Sequence, residues 1–271
     1  MGGTARNLLS SHDGMGVFLF GVATMLADTH PRRVLRWDAC YNVRDVGGYD
    51  TVDSDQTRWG ALLRGDNLCR LTREGQAALV AYGVRTIIDL RSSSEQIALH
   101  PFANPSQHDA PPTYLALPLQ DEADKAANTE LHAEASVQKA YALYLDRFAP
   151  RVGAVIRAVA DAPVGGVLVH CHAGKDRTGV VVALLLALVS VPRATIAADY
   201  ALSDVLLRPL YARTGAAGAR DAPGQHLASR PDVMLATFAH LDARYGGVRA
   251  YLETCGVGAR DMERIKERLC V

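Results

Sequence analysis

The segment from Val169 to Gly179, VHCHAGKDRTG, constrains this chain more than any other. Gly166 to His170 (GVLVH) leads into it, a short β-branched apolar run that reads as a strand buried on both faces. Thr178 to Ser190 (TGVVVALLLALVS) leads out of it, apolar nearly all round, and reads as a buried helix. A buried strand and a buried helix joined by so short a loop belong in a layered α/β domain. Other runs agree. Val84 to Leu90 reads as a second strand buried on both faces, Tyr114 to Leu119 as another, Leu62 to Arg64 as a short extended piece and Val34 to Trp37 as a short strand. Helices are expected over Thr72 to Tyr82, with Thr72 as N-cap and Gly83 just past the end, and over Ala126 to Ala160 in two pieces broken at Pro150. Further helices are expected over Pro192 to Asp204, Pro231 to Tyr245, Gly247 to Thr254 and Arg260 to Leu269. Asn42 to Tyr49 reads as a loop in which Gly47-Gly48 permits positive φ and close backbone approach. Strands alternating with helices predict an α/β fold, with a mainly parallel central sheet flanked by helices.

Residues 1–31 differ in character from the rest, and His30-Pro31 makes a boundary. The expected organisation is an N-terminal extension, 1–31, followed by one domain, 32–271. Within the domain, the Gly-, Ala-, Arg- and Pro-rich stretch 208–231 reads as a loop or lid. The apolar run Gly16 to Ala27 is too short to span a bilayer and lies between Asp13 and Asp28, with only Arg6 as a basic residue before it. It reads as a packed helix rather than an export signal, and no stable membrane insertion is expected. With 49% apolar residues the chain can bury a sizeable core, and 29 basic against 29 acidic side chains leave no basic field for nucleic acid. The cysteines (40, 69, 171, 255, 270) are odd in number and show no CxxC spacing, which excludes a disulfide scaffold and a zinc motif. No cofactor and no metal ligand set is expected. Free thiols suit a reducing compartment, and a cytoplasmic or secreted location both stay open, as does the oligomeric state.

The loop itself reads as an anion cradle. Successive N–H groups in such a turn can converge on one tetrahedral oxyanion, the following helix adds its positive end, and Arg177 can close the ring with a bidentate contact. Five residues separate Cys171 from Arg177. The same groups stabilise a Cys171 thiolate, lowering its pKa from the free value of about 8.5 and making it a nucleophile toward a bound phosphoryl group. His172, Ala173, Gly174 and Lys175 would line the cradle with Arg177.

His170 to Gly179 (HCHAGKDRTG) resembles the phosphate-binding loop of cysteine-dependent protein tyrosine phosphatases. Asn42 to Tyr49 (NVRDVGGY), Leu63 to Asp66 (LRGD), Ile88 to Arg91 (IDLR) with Glu95, and Asp199 to Ser203 (DYALS) are similar to one branch of these, the atypical bacterial tyrosine/serine phosphatases, which include a secreted mycobacterial enzyme. The match is scattered but in order over about residues 32–271. It implies a phosphatase-type α/β fold, no metal, activity on phosphotyrosine and often phosphoserine or phosphothreonine through a phosphocysteine intermediate, and a helical lid, which residues 208–245 would suit. Cys171 is then the nucleophile and Arg177 the phosphoryl clamp. Thr178 either helps the thiolate leave or caps the next helix. His170 either assists the thiolate or simply ends its strand. Asp89 either supports Arg177 or the loop, or caps its strand. Arg44 and Asp45 read as a structural pair.

The general acid is open to two readings. No Trp-Pro-Asp occurs in the chain. Asp176, inside the loop, resembles the acid/base of this family and of myotubularin lipid phosphatases. Its alternative is a structural carboxylate, with Asp121 and Asp124 in reserve. Lys175 matches a lysine of inositol-lipid phosphatases, so the partner is a phosphoprotein or a phosphoinositide. A catalytically silent phospho-binding module is the third possibility, although Cys171, Arg177 and an acidic residue are all present.

Overall fold

The computed structural model describes residues 29–96, 99–104, 110–214 and 228–271. The Gly16 to Ala27 run and residues 215–227 of the expected lid lie outside them. Five strands, β1 (Arg44–Asp45), β2 (Leu62–Gly65), β3 (Val84–Asp89), β4 (Thr113–Ala116) and β5 (Gly166–His170), form one sheet in the order β1-β2-β5-β3-β4. Every pairing is parallel except that of β1 with β2. The mainly parallel α/β architecture expected from the alternation of elements is therefore present.

Side-chain alternation divides the core between the two faces of the sheet. Leu63, Ile87 and Leu168 point to one face, where they meet Leu79 of helix α1 (Arg73–Ala81) together with Trp37 and Phe102. Leu62, Ile88, Val167 and Val169 point to the other. That face is covered by α3 (Val137–Arg147), α4 (Ala149–Asp161), α5 (Arg177–Leu188), α6 (Arg193–Leu206), α8 (Pro231–Tyr245), α9 (Val248–Thr254) and α10 (Ala259–Leu269). Two short helices, α2 (Lys125–Ala133) and α7 (Arg208–Arg213), complete the set among the described residues. Thr72 caps α1 by accepting from Gly75 N–H, and Gly83, at φ +99°, turns the chain out of it, as the sequence predicts. Val233, Met234, Phe238 and Leu241 set α8 into the main core. The C-terminal part of the expected lid is thus a core helix.

Several elements differ from the sequence reading. The strand expected at Val34 to Trp37 is reduced to an isolated bridge between Val34 and Arg44. The loop expected at Asn42 to Tyr49 contains β1, whose two residues pair with Arg64 and Leu63. The helical stretch expected in two pieces is three helices. Glu134 to Ser136 interrupts the first two, and Pro150 stands in the first turn of α4, where its missing N–H costs nothing. Arg44 and Asp45 are not a pair. Arg44 binds Asp199 and Asn42, whereas Asp45 accepts from Gly47 N–H, Gly60 N–H and Tyr82 Oη.

Registry places Gly65, Asp89 and His170 side by side at the C-terminal edge of the sheet. This is where a parallel α/β sheet presents its ligand site. Behind that edge lies a buried ion cluster. Asp199 of α6 accepts from Arg44 Nε at 2.9 Å, from Arg64 at 2.7 Å and from Tyr49 Oη at 3.0 Å. Arg64 then donates to the Gly174 carbonyl at 2.8 Å. Burial opposes ionisation of Asp199, but the two guanidinium groups outweigh it and hold the carboxyl well below the usual range. Because the folded value is depressed, the stabilisation is present above the free carboxyl value of about 3.9 and is lost as the pH falls. Asp199→Ala would strand two buried cations. It should cost about 3–5 kcal/mol in urea unfolding at pH 7 and flatten the acid limb of the stability profile. A loss under about 1 kcal/mol would show that the cluster contributes little.

Candidate active site

The loop after β5 is shaped from outside, through its carbonyls. His172 C=O accepts from Asn67 N–H at 3.0 Å, Ala173 C=O from Asn42 Nδ2 at 2.9 Å, and Gly174 C=O from Arg64 at 2.8 Å. Each peptide unit is planar and trans, so a carbonyl drawn outward turns the next N–H the opposite way. The N–H groups of Ala173, Gly174 and Lys175 therefore face away from these anchors, toward the inside of the turn. Gly174 is required twice over. Its φ is +69°, and a Cβ there would lie 2.3 Å from the Gly65 carbonyl oxygen.

Cys171 sits at the base of this turn, 2% exposed. Arg177 opens α5 and is held by Glu95: its Nη2 donates to Glu95 Oε1 at 2.6 Å, and its Nη1 donates to Oε2. Ser92 N–H and Oγ bond the same carboxylate, and although burial opposes its ionisation, Arg177 brings Glu95 down to about 2. The guanidinium is correspondingly raised. This role of Glu95 is not legible in its sequence neighbourhood, where it stands only as a carboxylate shortly beyond the end of β3. Asp89 does not touch Arg177. It accepts from Arg91 Nε and Nη2 and from Tyr114 Oη, and Arg91 also binds Asn67, whose N–H holds the loop. Its support reaches the loop through Arg91 and Asn67.

Thr178 is the second residue of α5, not its cap; Asp176 stands at the N-cap position. The Thr178 hydroxyl is fully buried and has no hydrogen-bond partner among the described residues. His172 is exposed, with only its carbonyl engaged in shaping the turn. Lys175 is buried, with Nζ 2.6 Å from Asp176 Oδ1. Burial pushes His170 down to about 4, so at neutral pH its imidazole is uncharged and offers Cys171 no cationic help. Asp176 accepts from Lys175 and from Tyr141 Oη, both on Oδ1 at 2.6 Å. Burial works against its ionisation, yet these partners hold the carboxyl below its ordinary value. Asp121 pairs with Arg151 and Asp124 caps α2 through Ala127 N–H, so both reserve candidates have structural work.

A cavity of about 730 Å³ opens in front of Asp176 and Arg177. Its far wall is α2 and α3, with Leu131, Val137, Tyr141 and Tyr144, and Glu95 lines its near side. Asp89, His100 and His170 form the one described group that could hold a metal ion, with ligand atoms within 4.8 Å of one another. An ion there would meet Arg91 across a carboxylate already taken by Arg91 and Tyr114.

The arrangement can hold a tetrahedral dianion over a thiol, clamp it with an oriented guanidinium, and offer a carboxyl beside it. Comparison with known proteins agrees. The family model described as the tyrosine phosphatase family matches residues 35–271. A tyrosine-protein phosphatase of Nostoc commune is 34% identical over 221 residues, covering 77% of this chain and 74% of that protein. The triple specificity protein phosphatase PtpB of Mycobacterium tuberculosis is 30% identical over 269 residues, covering 83% and 95%.

Glu95→Gln should leave Arg177 loosely held and lower kcat/KM by roughly 10- to 100-fold, the worth of a hydrogen bond to a charged group. The loss should be equal for aryl phosphates of good and poor leaving groups, since the clamp acts on the transferred group. Steady-state kinetics on such a pair checks this. Unchanged or improved kcat/KM would mean that Glu95 competes with substrate for Arg177.

Proposed function

As the chain belongs to the tyrosine phosphatase family, we propose that this phosphatase hydrolyses phosphotyrosine, and also phosphoserine and phosphothreonine, on proteins through a phosphocysteine intermediate. The reading rests on one observation: Cys171 lies at the base of a turn whose N–H groups are turned inward, with Arg177 oriented beside it by Glu95. The phosphate oxyanions would bind the N–H groups and Arg177. The thiolate attacks phosphorus in line, forming the S–P bond as the P–O bond of the substrate breaks. Asp176 gives its proton to the leaving oxygen. It then takes a proton from the water that attacks the phosphocysteine, releasing phosphate and thiolate. Lys175 and Tyr141 hold the Asp176 carboxyl below its ordinary pKa, and a dianion bound next to it would raise that pKa, so that substrate brings the proton in. Thr178, with its hydroxyl free of other partners, can donate to the departing sulfur.

The phosphoinositide alternative relied on Lys175 as a second free cation. That ammonium is buried against Asp176, which favours the phosphoprotein reading. The name of the M. tuberculosis relative, a triple specificity protein phosphatase, supports a substrate range wider than one class. The domain proposed is 32–271, with 1–31 as an extension. No described helix is long and apolar enough to cross a membrane.

A turnover panel of phosphotyrosine, phosphoserine and phosphoinositide substrates is the test. Cys171→Ser should abolish turnover on all of them while still binding vanadate. Asp176→Asn should lose about 10²-fold or more on phenyl phosphate and much less on p-nitrophenyl phosphate, whose leaving group needs little protonation. Turnover by Cys171→Ser at near wild-type rate would remove the covalent route. A leaving-group signature in Asp121→Asn or Asp124→Asn, with a uniform loss in Asp176→Asn, would move the acid elsewhere. A preference for the phosphoinositide would overturn the substrate assignment.

A further inference from the structure

Asp176 is bonded on one side only. Lys175 Nζ and Tyr141 Oη both reach Oδ1, at 2.6 Å, and Oδ2 has no hydrogen bond among the described residues. The residue lines the cavity and its side chain is 32% exposed, so the bare oxygen belongs to the open side of the site. Tyr141 itself is buried in α3, and its hydroxyl lies 2.9 Å from that of Tyr200 in α6, with the rings edge to face at 82°.

The chemistry of the three groups fixes the direction of this chain. An ionised carboxylate only accepts, so the single Tyr141 proton points at Oδ1. Tyr141 must then accept from Tyr200, which makes Tyr200 the donor of that pair. Burial raises the Tyr141 hydroxyl far above its ordinary pKa, so it remains a donor at any working pH. With Oδ1 taking two donors, a proton arriving on the carboxyl can stay only on Oδ2 without breaking a buried hydrogen bond.

We infer that Tyr141 is a positioning residue for the reaction: by holding Oδ1, it makes Oδ2 the oxygen of Asp176 that delivers and recovers the catalytic proton, with Tyr200 setting the direction of the bond. The inference rests on the acid/base role proposed above for Asp176. On the forward step Oδ2–H passes its proton to the leaving oxygen while the S–P bond forms and the P–O bond breaks. On the return step Oδ2 takes a proton from the attacking water as the S–P bond breaks. Oδ1 keeps its two donors throughout, so no buried bond is remade during turnover.

Other charged or titratable groups surround Asp176 and stay in place when Tyr141 is changed. They are Cys171, Lys175 and Arg177 on the loop, Tyr144 on α3, Tyr200 on α6, Glu95 after β3, Lys125 and His132 on α2, and Glu122 and Glu134 flanking it. A change in the pH profile of Tyr141→Phe therefore reports the one bond removed. A hydrogen bond to the charged form lowers a carboxyl pKa, so its loss raises that pKa and moves the basic limb of the kcat profile to higher pH.

The experiment compares kcat and KM against pH for wild type, Tyr141→Phe and Asp176→Asn, on phenyl phosphate and p-nitrophenyl phosphate. In Tyr141→Phe the basic limb should move up by about one pH unit, with the acidic limb and KM unchanged. Its kcat should fall on phenyl phosphate and hold on p-nitrophenyl phosphate. Tyr200→Phe should shift the limb the same way by less, and it carries the test should Tyr141→Phe fail to fold. A basic limb at the wild-type position in these variants, or an equal loss on both substrates with an unshifted profile, would overturn the positioning role. A basic limb that survives Asp176→Asn would instead overturn the acid reading on which it stands.

Discussion

The site depends on three outward carbonyls. Those of His172, Ala173 and Gly174 are each claimed by a donor from a different part of the scaffold: Asn67 beyond β2, Asn42 before β1 and Arg64 in β2. A tight turn with inward N–H groups is a poor conformation for an isolated chain, because it points like dipoles at one another and leaves no acceptor for them. The scaffold supplies the missing enthalpy from behind. Asp199 in turn holds Arg64 and Arg44 in place, so a carboxylate far along the chain, on α6, sets the shape of a turn it does not touch. Preorganisation of this kind is what lets oriented dipoles stabilise an anion without rearranging during reaction.

On the inner side, charge is distributed so that each group is committed before substrate arrives. Arg177 is taken by Glu95, and Asp176 by Lys175 and Tyr141. These pairs keep a cation-rich loop close to neutral when empty, which limits the desolvation cost of burying it. They also give Arg177 and Asp176 fixed orientations. Under the acid/base role proposed for Asp176, a dianion bound beside it would favour its protonated form and so couple binding to leaving-group departure.

Much of this was legible in the sequence because it is local. The strand, turn and helix around Cys171 announce themselves through apolar runs on either side of HCHAGKDRTG, and the cap at Thr72 and turn at Gly83 follow from neighbours. What failed was of two kinds. Short or edge elements, such as β1 and the bridge at Val34, derive their order from pairing and leave little pattern in their own residues. Roles set by distant contacts were invisible as well. Glu95 and Tyr141 reach the loop from 82 and 35 residues away, and Asp89 acts through Arg91 and Asn67. Nothing in linear spacing marks a tyrosine in one helix as the partner of a carboxylate in a later loop. Pro150 marks its break as expected, in the first turn of α4, whereas the break at Glu134 to Ser136 has no proline or glycine to announce it.

The central claim is that Cys171 carries the phosphoryl group between two displacements. Mixing the enzyme with excess aryl phosphate, quenching with acid within one turnover and mapping peptides by mass spectrometry tests it directly. The account predicts one added phosphoryl group on the peptide that contains Cys171, decaying at the rate of turnover and missing from Cys171→Ser. Full turnover with that peptide unmodified at every quench time would contradict it and point to direct attack by water.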